Sequence, residues 1–197
     1  MTVLVFLGRK RSGKDTSADI VCSYLDGSGR QYERIAFAGC MKTAVATMFD
    51  VPEELFHDQS KKEVKCIHNN QFSPRELLIW YGEMMMAKCG GPSFFVDIAR
   101  KKIERALGEN KIVIVTDLRT PIETYAMMEL GARVFYINRE NHLGPLAADA
   151  HFTESGVYVS KGVLEASSYQ HYTEIDNNGL LSDTTLQILH DIQQILI

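Results

Sequence analysis

The residues best suited to chemistry stand near the start of the chain, where two glycines and a lysine follow a short apolar run. Gly8 is followed by four residues, then by Gly13 and Lys14, and Asp15 and Thr16 come next. Glycines allow successive backbone N–H groups to turn toward phosphate oxygens, the following helix contributes its positive end, and the lysine adds a full charge. The spacing therefore predicts a loop that binds a nucleoside triphosphate.

The residues on either side of this glycine loop (residues 8–13) support the same interpretation. The run 3–7 is apolar and predicts a strand, whereas residues 18–25 carry apolar side chains at helical spacing. A chance loop would need the strand, the helix and the lysine to coincide in register. We therefore expect a nucleoside triphosphate to bind here, with the binding residues Gly8, Lys10, Arg11, Ser12, Gly13, Lys14, Asp15 and Thr16.

The residue after the lysine departs from the general motif. Asp15 stands where a serine or threonine hydroxyl usually binds Mg²⁺. A carboxylate there can hold the ion directly or through water, and Thr16 can supply a hydroxyl one residue later. Arg9, Lys10 and Arg11 add further positive charge, which suits a polyphosphate.

A second candidate site follows the apolar run 112–115, whose length and content predict a central parallel strand buried on both faces. Asp117 and Arg119 come at its carboxyl end, which is the ligand side of an α/β sheet. We expect this pair to serve magnesium and phosphate chemistry, with Asp117 as a third metal ligand. A purely structural ion pair is the alternative.

Two cations begin helical patterns further along the chain. Lys42 is in the first turn of one pattern, where a solvated surface lysine is the alternative to a ligand role. Ser73, Pro74 and Glu76 predict the start of another, with a capping box. Arg75 is in the first turn of this second pattern, where the helix dipole disfavours a cation. The position of Arg75 indicates an anionic partner, which is either a ligand or a local carboxylate, Glu76 or Glu83.

Residues 139–155 lack periodicity and contain a Gly-Pro pair. A loop in this place is a candidate lid, because closure over phosphates expels water and brings cations to the transferring group. Arg139 is the cation in question. His151 alone is equally consistent with an ordinary surface histidine.

The remaining pattern alternates strands and helices, which predicts a three-layer α/β fold with a central parallel sheet in one domain. Further strands are predicted over 32–37, 111–116, 132–138 and 172–175, and helices over 41–49, 74–89, 95–107, 121–131 and 186–196. Residues 53–72 are polar and irregular, and we expect a mobile segment there.

Composition limits the function. The 197 residues carry a net charge of −4, so we expect no nucleic-acid partner. No apolar run approaches the roughly 20 residues of a membrane span, and the amino terminus lacks the features of a signal peptide, so we expect no membrane partner and a cytoplasmic location. Four cysteines without a paired spacing indicate neither a zinc site nor a disulfide framework.

Taken together, these segments resemble the nucleoside monophosphate kinases. Within that group the chain resembles most the deoxynucleoside monophosphate kinases of tailed bacteriophages. The residues that carry the resemblance lie in the family's order: the segment 8–16, residues 36–39 with Lys42, residues 75–78 with Gly82, residues 117–119 and residues 149–156.

The resemblance implies transfer of the γ-phosphoryl group of ATP, with Mg²⁺, to a deoxynucleoside monophosphate. It implies an acceptor-binding helical region over about 38–108, a lid over 139–156 and a possible homodimer. Asn178 and Gly179 would lie near the donor base, and Arg139 would close on the phosphates. Acceptor-binding residues would be Lys42, Arg75, Trp80, Asp117, Arg119, His151 and Glu154.

The chain also departs from the family, because it is short and because Ile79 and Phe95 replace a common glutamine and a common tryptophan. Base specificity therefore does not transfer. The alternatives are another small-molecule kinase, acting on a phosphomevalonate-like compound, a modified pyrimidine nucleotide or a hydroxymethyl base, or a nucleotide-binding switch or NTPase.

Overall fold

A five-stranded sheet is built from the strands of the chain. The computed structural model describes residues 2–58, 60–147 and 152–196. All strand pairings in the sheet are parallel, in the order β2-β3-β1-β4-β5. The strands are β1 Val3–Leu7, β2 Tyr32–Ile35, β3 Ile112–Leu118, β4 Arg133–Asn138 and β5 Tyr172–Asp176.

Helices connect these strands and flank the sheet, which makes the fold a three-layer α/β fold. Two short 3₁₀ helices, Glu53–Phe56 and Gly91–Ser93, lie among them. The helices are α1 Lys14–Gly27, α2 Gly39–Phe49, α3 Pro74–Cys89, α4 Phe94–Gly108, α5 Pro121–Glu129, α6 Glu140–Leu143, α7 Phe152–Ala166 and α8 Leu181–Ile195.

Strand β1 lies at the middle of the sheet and all five of its residues are buried. Its alternate side chains, Leu4 and Phe6, join a core cluster that includes buried residues of α1 and α8, such as Leu25 and Ile188. Because strand side chains alternate between faces, the other residues of β1 point to the opposite face. The loop after β1 therefore begins from a fully buried strand at the middle of the sheet.

The chain divides into two compact units. The first comprises residues 1–35 and 100–197 and contains the sheet, whereas the second comprises residues 36–99. The second unit has its own small core of Val45, Ala46, Phe56, Ile67 and Leu77. In the structure, α3 begins with the predicted capping box, in which Ser73 and Glu76 exchange hydrogen bonds.

The structure confirms the five predicted strands and the predicted helices, with different ends. Helix α8 begins at Leu181, five residues before the predicted start, and β2 ends at Ile35. Helix α7 was not predicted, because its buried positions include Gly156 and Ser160, which weaken the apolar stripe. Segment 53–72 contains a 3₁₀ helix and an isolated antiparallel β-bridge between Ile67 and Phe72, and the Ile67 side chain is buried.

Among the described residues, no helix is both long enough and apolar enough to span a membrane.

Candidate active site

The glycine loop connects β1 to α1 at the carboxyl edge of the sheet. Arg11 and Gly13 both have positive φ angles, 67° and 102°, so the loop turns sharply at both residues. Helix α1 begins after Gly13 without a side-chain cap. The N–H groups of its first turn have no partner within the helix, and this end of the helix attracts anions.

The loop is packed so closely that side chains would not fit at its glycines. A Cβ atom on Gly8 would lie 2.5 Å from Ser12 Oγ and 3.0 Å from the Ile137 carbonyl oxygen. Ser12 is 1% exposed, and its Oγ has no hydrogen-bond partner among the described residues. A small-residue cradle with an unpaired buried hydroxyl fits a phosphate group.

Lys14 is folded back onto the loop. Its Nζ donates hydrogen bonds to the carbonyl oxygens of Gly8 at 2.7 Å and Arg9 at 2.6 Å. Burial, and then the positive charge of Arg119, lowers the pKa of Lys14 to about 7. A bound phosphate would favour the charged form of this lysine.

Glu154, in the first turn of α7, connects two elements of the site. One carboxylate oxygen accepts the Lys10 N–H at 2.8 Å, and the other forms an ion pair with the Arg119 guanidinium. Burial alone would raise the pKa of Glu154, but the Lys10 N–H and the charge of Arg119 hold it below its usual value. Gly156 makes close packing possible here, since a Cβ on it would lie 2.7 Å from the Arg119 carbonyl oxygen.

Glu123 holds the segment that follows β3. Its carboxylate accepts the backbone N–H groups of Arg119 at 2.8 Å and Thr120 at 2.9 Å. Burial, and then the nearby charge of Asp117, raises the pKa of Glu123 to about 7. Asp117 and Arg119 are thus at the carboxyl end of a central strand, beside β1, as predicted.

The structure also identifies an ion pair that the sequence interpretation missed. Arg9 donates to Glu140 Oε2 at 2.9 Å and to the Gly144 carbonyl at 2.6 Å. Glu140 also accepts the hydroxyl groups of Tyr136 and Tyr158. Arg9 is 8% exposed, so its charge is committed to the fold. The two partners lie far apart in the sequence, so no local pattern predicts that they pair.

Arg139 immediately precedes α6, and its Nε is buried without a partner in the described part of the chain. Asn178 lies in the turn after β5, where its side-chain oxygen accepts the Asn141 N–H at 3.0 Å and its carbonyl contacts His142 Nε2 at 2.8 Å. Gly179 follows and is exposed. His151 lies outside the described residues.

The residues predicted to bind the metal follow two different strands, with Asp15 and Thr16 at the start of α1 and Asp117 near the end of β3. Asp15 and Thr16 are exposed on the first turn of α1, and Asp15 lies 3.8 Å from Arg34. Among residues 2–58, 60–147 and 152–196, no group of three or more His, Cys, Asp or Glu side chains is arranged to hold a metal ion. Mg²⁺ at nucleotide sites keeps waters and phosphate ligands beside one or two carboxylates, so this arrangement fits an ion carried in by a nucleotide.

Three of the predicted residues belong to the second unit. Lys42 Nζ lies 3.4 Å from His57 Nδ1. Arg75 pairs with Glu63 at 3.1 Å, and neither Glu76 nor Glu83 is that partner. Trp80 is 52% exposed. The first unit thus gathers the glycine loop, Lys14, Arg119 and Glu154, and the second unit contains these three residues separately.

Comparison with known proteins identifies the family. A family model described as deoxynucleotide monophosphate kinase matches residues 45–184. The match includes Arg75, Arg119 and Glu154, and the glycine loop lies before it. No curated protein sequence matches the chain significantly. Because the model covers most of the chain, the protein belongs to the deoxynucleotide monophosphate kinase family and is a nucleotide phosphotransferase.

Proposed function

We propose that the chain transfers the γ-phosphoryl group of ATP to a deoxynucleoside monophosphate, with the glycine loop as the donor site. The observation that carries this proposal is the loop itself. Its glycines are crowded by Ser12 and Ile137, and it leads into an uncapped helix with a buried lysine. Such a loop provides several N–H donors and one cation to a polyphosphate.

In this proposal the donor side works by positioning and charge. The N–H groups of residues 9–14 hold the β- and γ-phosphate oxygens, with Lys10, Arg11, Ser12 and Gly13 contributing from the loop. For this the Lys10 N–H leaves Glu154 and the Ser12 N–H leaves the Arg9 carbonyl. Lys14 leaves the carbonyl groups of Gly8 and Arg9 and contacts the phosphates as the charged ammonium. Phosphoryl transfer needs little covalent work from a protein, so this positioning supplies most of the catalysis.

Mg²⁺ would neutralise charge on the transferring phosphates. Asp15, Thr16 and Asp117 are the residues that would hold it, most simply through waters of its coordination shell, since Asp15 and Thr16 are exposed.

Arg119 is the acceptor-side cation that belongs to the same unit as the glycine loop. It would align the attacking phosphate oxygen, and Arg139, with its unpaired Nε, would offset the developing charge. By family resemblance, Lys42, Arg75 and Trp80 would bind the acceptor nucleotide within a region over 38–108. Glu154, Asp117 and His151 would line the acceptor site, and Asn178 with Gly179 the donor base.

Residues 139–156 remain our proposal for a lid. Helix α7 begins inside this range, and Glu154 connects it to Arg119 and to the loop amide of Lys10. A homodimer and a bacteriophage source are further proposals that rest on the resemblance alone, and a cytoplasmic location remains a prediction from the sequence.

A substrate panel tests the proposal. Purified protein with ATP and Mg²⁺ is expected to form ADP only when a deoxynucleoside monophosphate is added. ADP formation without an acceptor would favour an NTPase, and transfer to another small molecule instead would favour a different kinase.

Two substitutions test the residues. Lys14→Ala and Arg119→Ala should each lower turnover on the order of 100- to 1000-fold, the effect of losing one preorganised donor. Lys101→Ala and Arg105→Ala, which change exposed residues of α4, are matched controls and should retain turnover. Near-full activity of Lys14→Ala or Arg119→Ala would refute the assignment.

A further inference from the structure

We infer that Asn177 is a positioning residue for phosphoryl transfer, whose side-chain amide sets the shape of the glycine loop. The inference rests on the proposed function of that loop as the ATP site. Asn177 lies 165 residues after Ser12, and its Nδ2 donates a hydrogen bond to the Ser12 carbonyl oxygen at 2.8 Å. No sequence motif marks this residue.

Asn177 is itself held on two sides. Its backbone N–H donates to the Asn138 carbonyl at the end of β4, at 2.8 Å. The hydroxyl of Thr184, which is 1% exposed, donates to Asn177 Oδ1 at 2.9 Å. The Ser12 carbonyl can only accept, so the amide must face it with nitrogen, and the oxygen then faces the hydroxyl of Thr184. The amide therefore has one satisfied orientation.

The bond to Ser12 controls a donor of the loop through the planar peptide between Ser12 and Gly13. In a trans peptide the C=O and N–H groups point in opposite directions. Since Asn177 holds the Ser12 carbonyl, the Gly13 N–H must point away from Asn177. That N–H is one of the groups proposed to face phosphate, and its direction is fixed before any nucleotide arrives.

Gly13 is adapted to the same contact. A Cβ atom on Gly13 would overlap Asn177 Nδ2. The second glycine of the motif thus allows a positive φ and also leaves room for the amide. The glycine loop and the turn after β5 can therefore pack this closely only because residue 13 has no side chain.

The main test uses Asn177→Ala with Gln187→Ala as the matched control. Gln187 lies on α8, and its side chain bonds the backbone of Asp176, at the end of β5, without reaching the loop. Both variants lose hydrogen bonds between α8 and the end of β5 or the turn after it, but only Asn177→Ala loses the bond to the loop. The readouts are the ATP dissociation constant by calorimetry, the KM for each substrate and the melting temperature.

Asn177→Ala is expected to weaken ATP binding and to raise the KM for ATP by about tenfold, the equivalent of one hydrogen bond to the loop. The KM for the deoxynucleoside monophosphate should change less than twofold, and Gln187→Ala should leave both KM values unchanged. Thr184→Val, which removes the hydroxyl contacts to Asn177 Oδ1 and to the Asp176 carbonyl but keeps the bond between Asn177 and Ser12, should give the same pattern at about threefold.

Asn177→Asp provides a readout that a general loss of stability would not produce. An ionised carboxylate facing the Ser12 carbonyl repels it, whereas a protonated one can donate to it. The ATP affinity of this variant, relative to Asn177→Ala at the same pH, should therefore rise as the pH falls from 8 to 5.5.

The outcomes separate the two proposals. This inference is wrong, and the proposed function stands, if the wild-type protein binds ATP and Asn177→Ala binds it equally well. The same conclusion follows if Asn177→Ala and Gln187→Ala change every kinetic constant alike. If the wild-type protein fails to bind ATP, the proposed function is wrong and this inference falls with it.

Discussion

The cations of the two units differ in how they are held. In the first unit, Lys14 and Arg9 are buried, and each makes hydrogen bonds to specific backbone groups. In the second unit, Lys42 and Arg75 are partly exposed and contact side chains of their own unit, His57 and Glu63. The first set is fixed by the fold, whereas the second is fixed only by weak surface contacts.

This difference fits the chemistry of the two proposed substrates. Buried cations held by the backbone can form a rigid cradle for the triphosphate in advance of binding. Exposed cations with side-chain partners can exchange those partners for the phosphate of the acceptor. Substitutions in the first unit should therefore alter the ATP site itself, whereas substitutions in the second should alter acceptor affinity with little effect on stability.

The largest effect is expected from Gly13→Ala, which tests whether the donor cradle is rigid. The new Cβ would require alanine at a φ of 102° and would overlap Asn177. We expect kcat/KM for ATP to fall by more than ~100-fold, the equivalent of about 3 kcal/mol. Gly162→Ala, in α7 with no atom within 4 Å of the added Cβ, should be neutral or slightly stabilising. Normal ATP kinetics of Gly13→Ala would mean that the loop can accommodate a side chain, so that the donor site is not rigid.

A smaller effect is expected from Arg75→Ala, which tests the second unit. The KM for the deoxynucleoside monophosphate should rise by about 10- to 100-fold, the cost of losing a charge-assisted bond. The melting temperature should stay nearly unchanged, because the exposed pair with Glu63 contributes roughly 0–1 kcal/mol. Glu63→Gln is the control, and it should leave acceptor binding equal or improved. An effect of Arg75→Ala on the KM for ATP alone would reverse the assignment.

The smallest effect is expected from pH. Lys14 has a pKa of about 7 in the ligand-free protein, and phosphate favours its protonated form, so ATP binding should take up a proton. ATP affinity should then fall by about tenfold between pH 6 and pH 8 as the free enzyme loses that proton. Calorimetry in two buffers of different ionisation enthalpy measures the uptake. Lys14→Gln should lack it, and a wild-type protein without uptake would contradict the proposed role of this lysine.

Most helices and strands could be predicted because the residues that indicate each of them lie close together in the sequence. The apolar run of β3, the Ser73 capping box and the breakers around the glycine loop each lie within a few residues. The helix α7 escaped prediction because two of its four buried positions, Gly156 and Ser160, are not apolar. Gly156 is required by tertiary packing, since a Cβ on it would lie 2.7 Å from the Arg119 carbonyl oxygen.

The sequence was enough to propose the reactive residues of the candidate site, but it did not reveal the residues that support them. Lys14 and Arg119 could be chosen by type and position, but Asn177 and Glu123 are ordinary polar residues whose roles depend on which backbone group they meet. The partner of Arg75 was also hidden, because Glu63 lies twelve residues earlier, in the irregular stretch before α3. Such pairings depend on tertiary contacts, which spacing alone does not encode.

The ion pair between Arg9 and Glu140 has a consequence for how such sequences can diverge. The two residues are 131 positions apart in the chain and 2.9 Å apart in space, and Arg9 is buried. Replacing one alone would leave a desolvated charge without its counterpart, which selection would remove. Positions 9 and 140 should therefore covary across related sequences. Of the four basic residues near the loop, Arg9 should be retained for its acidic partner and not for nucleotide binding.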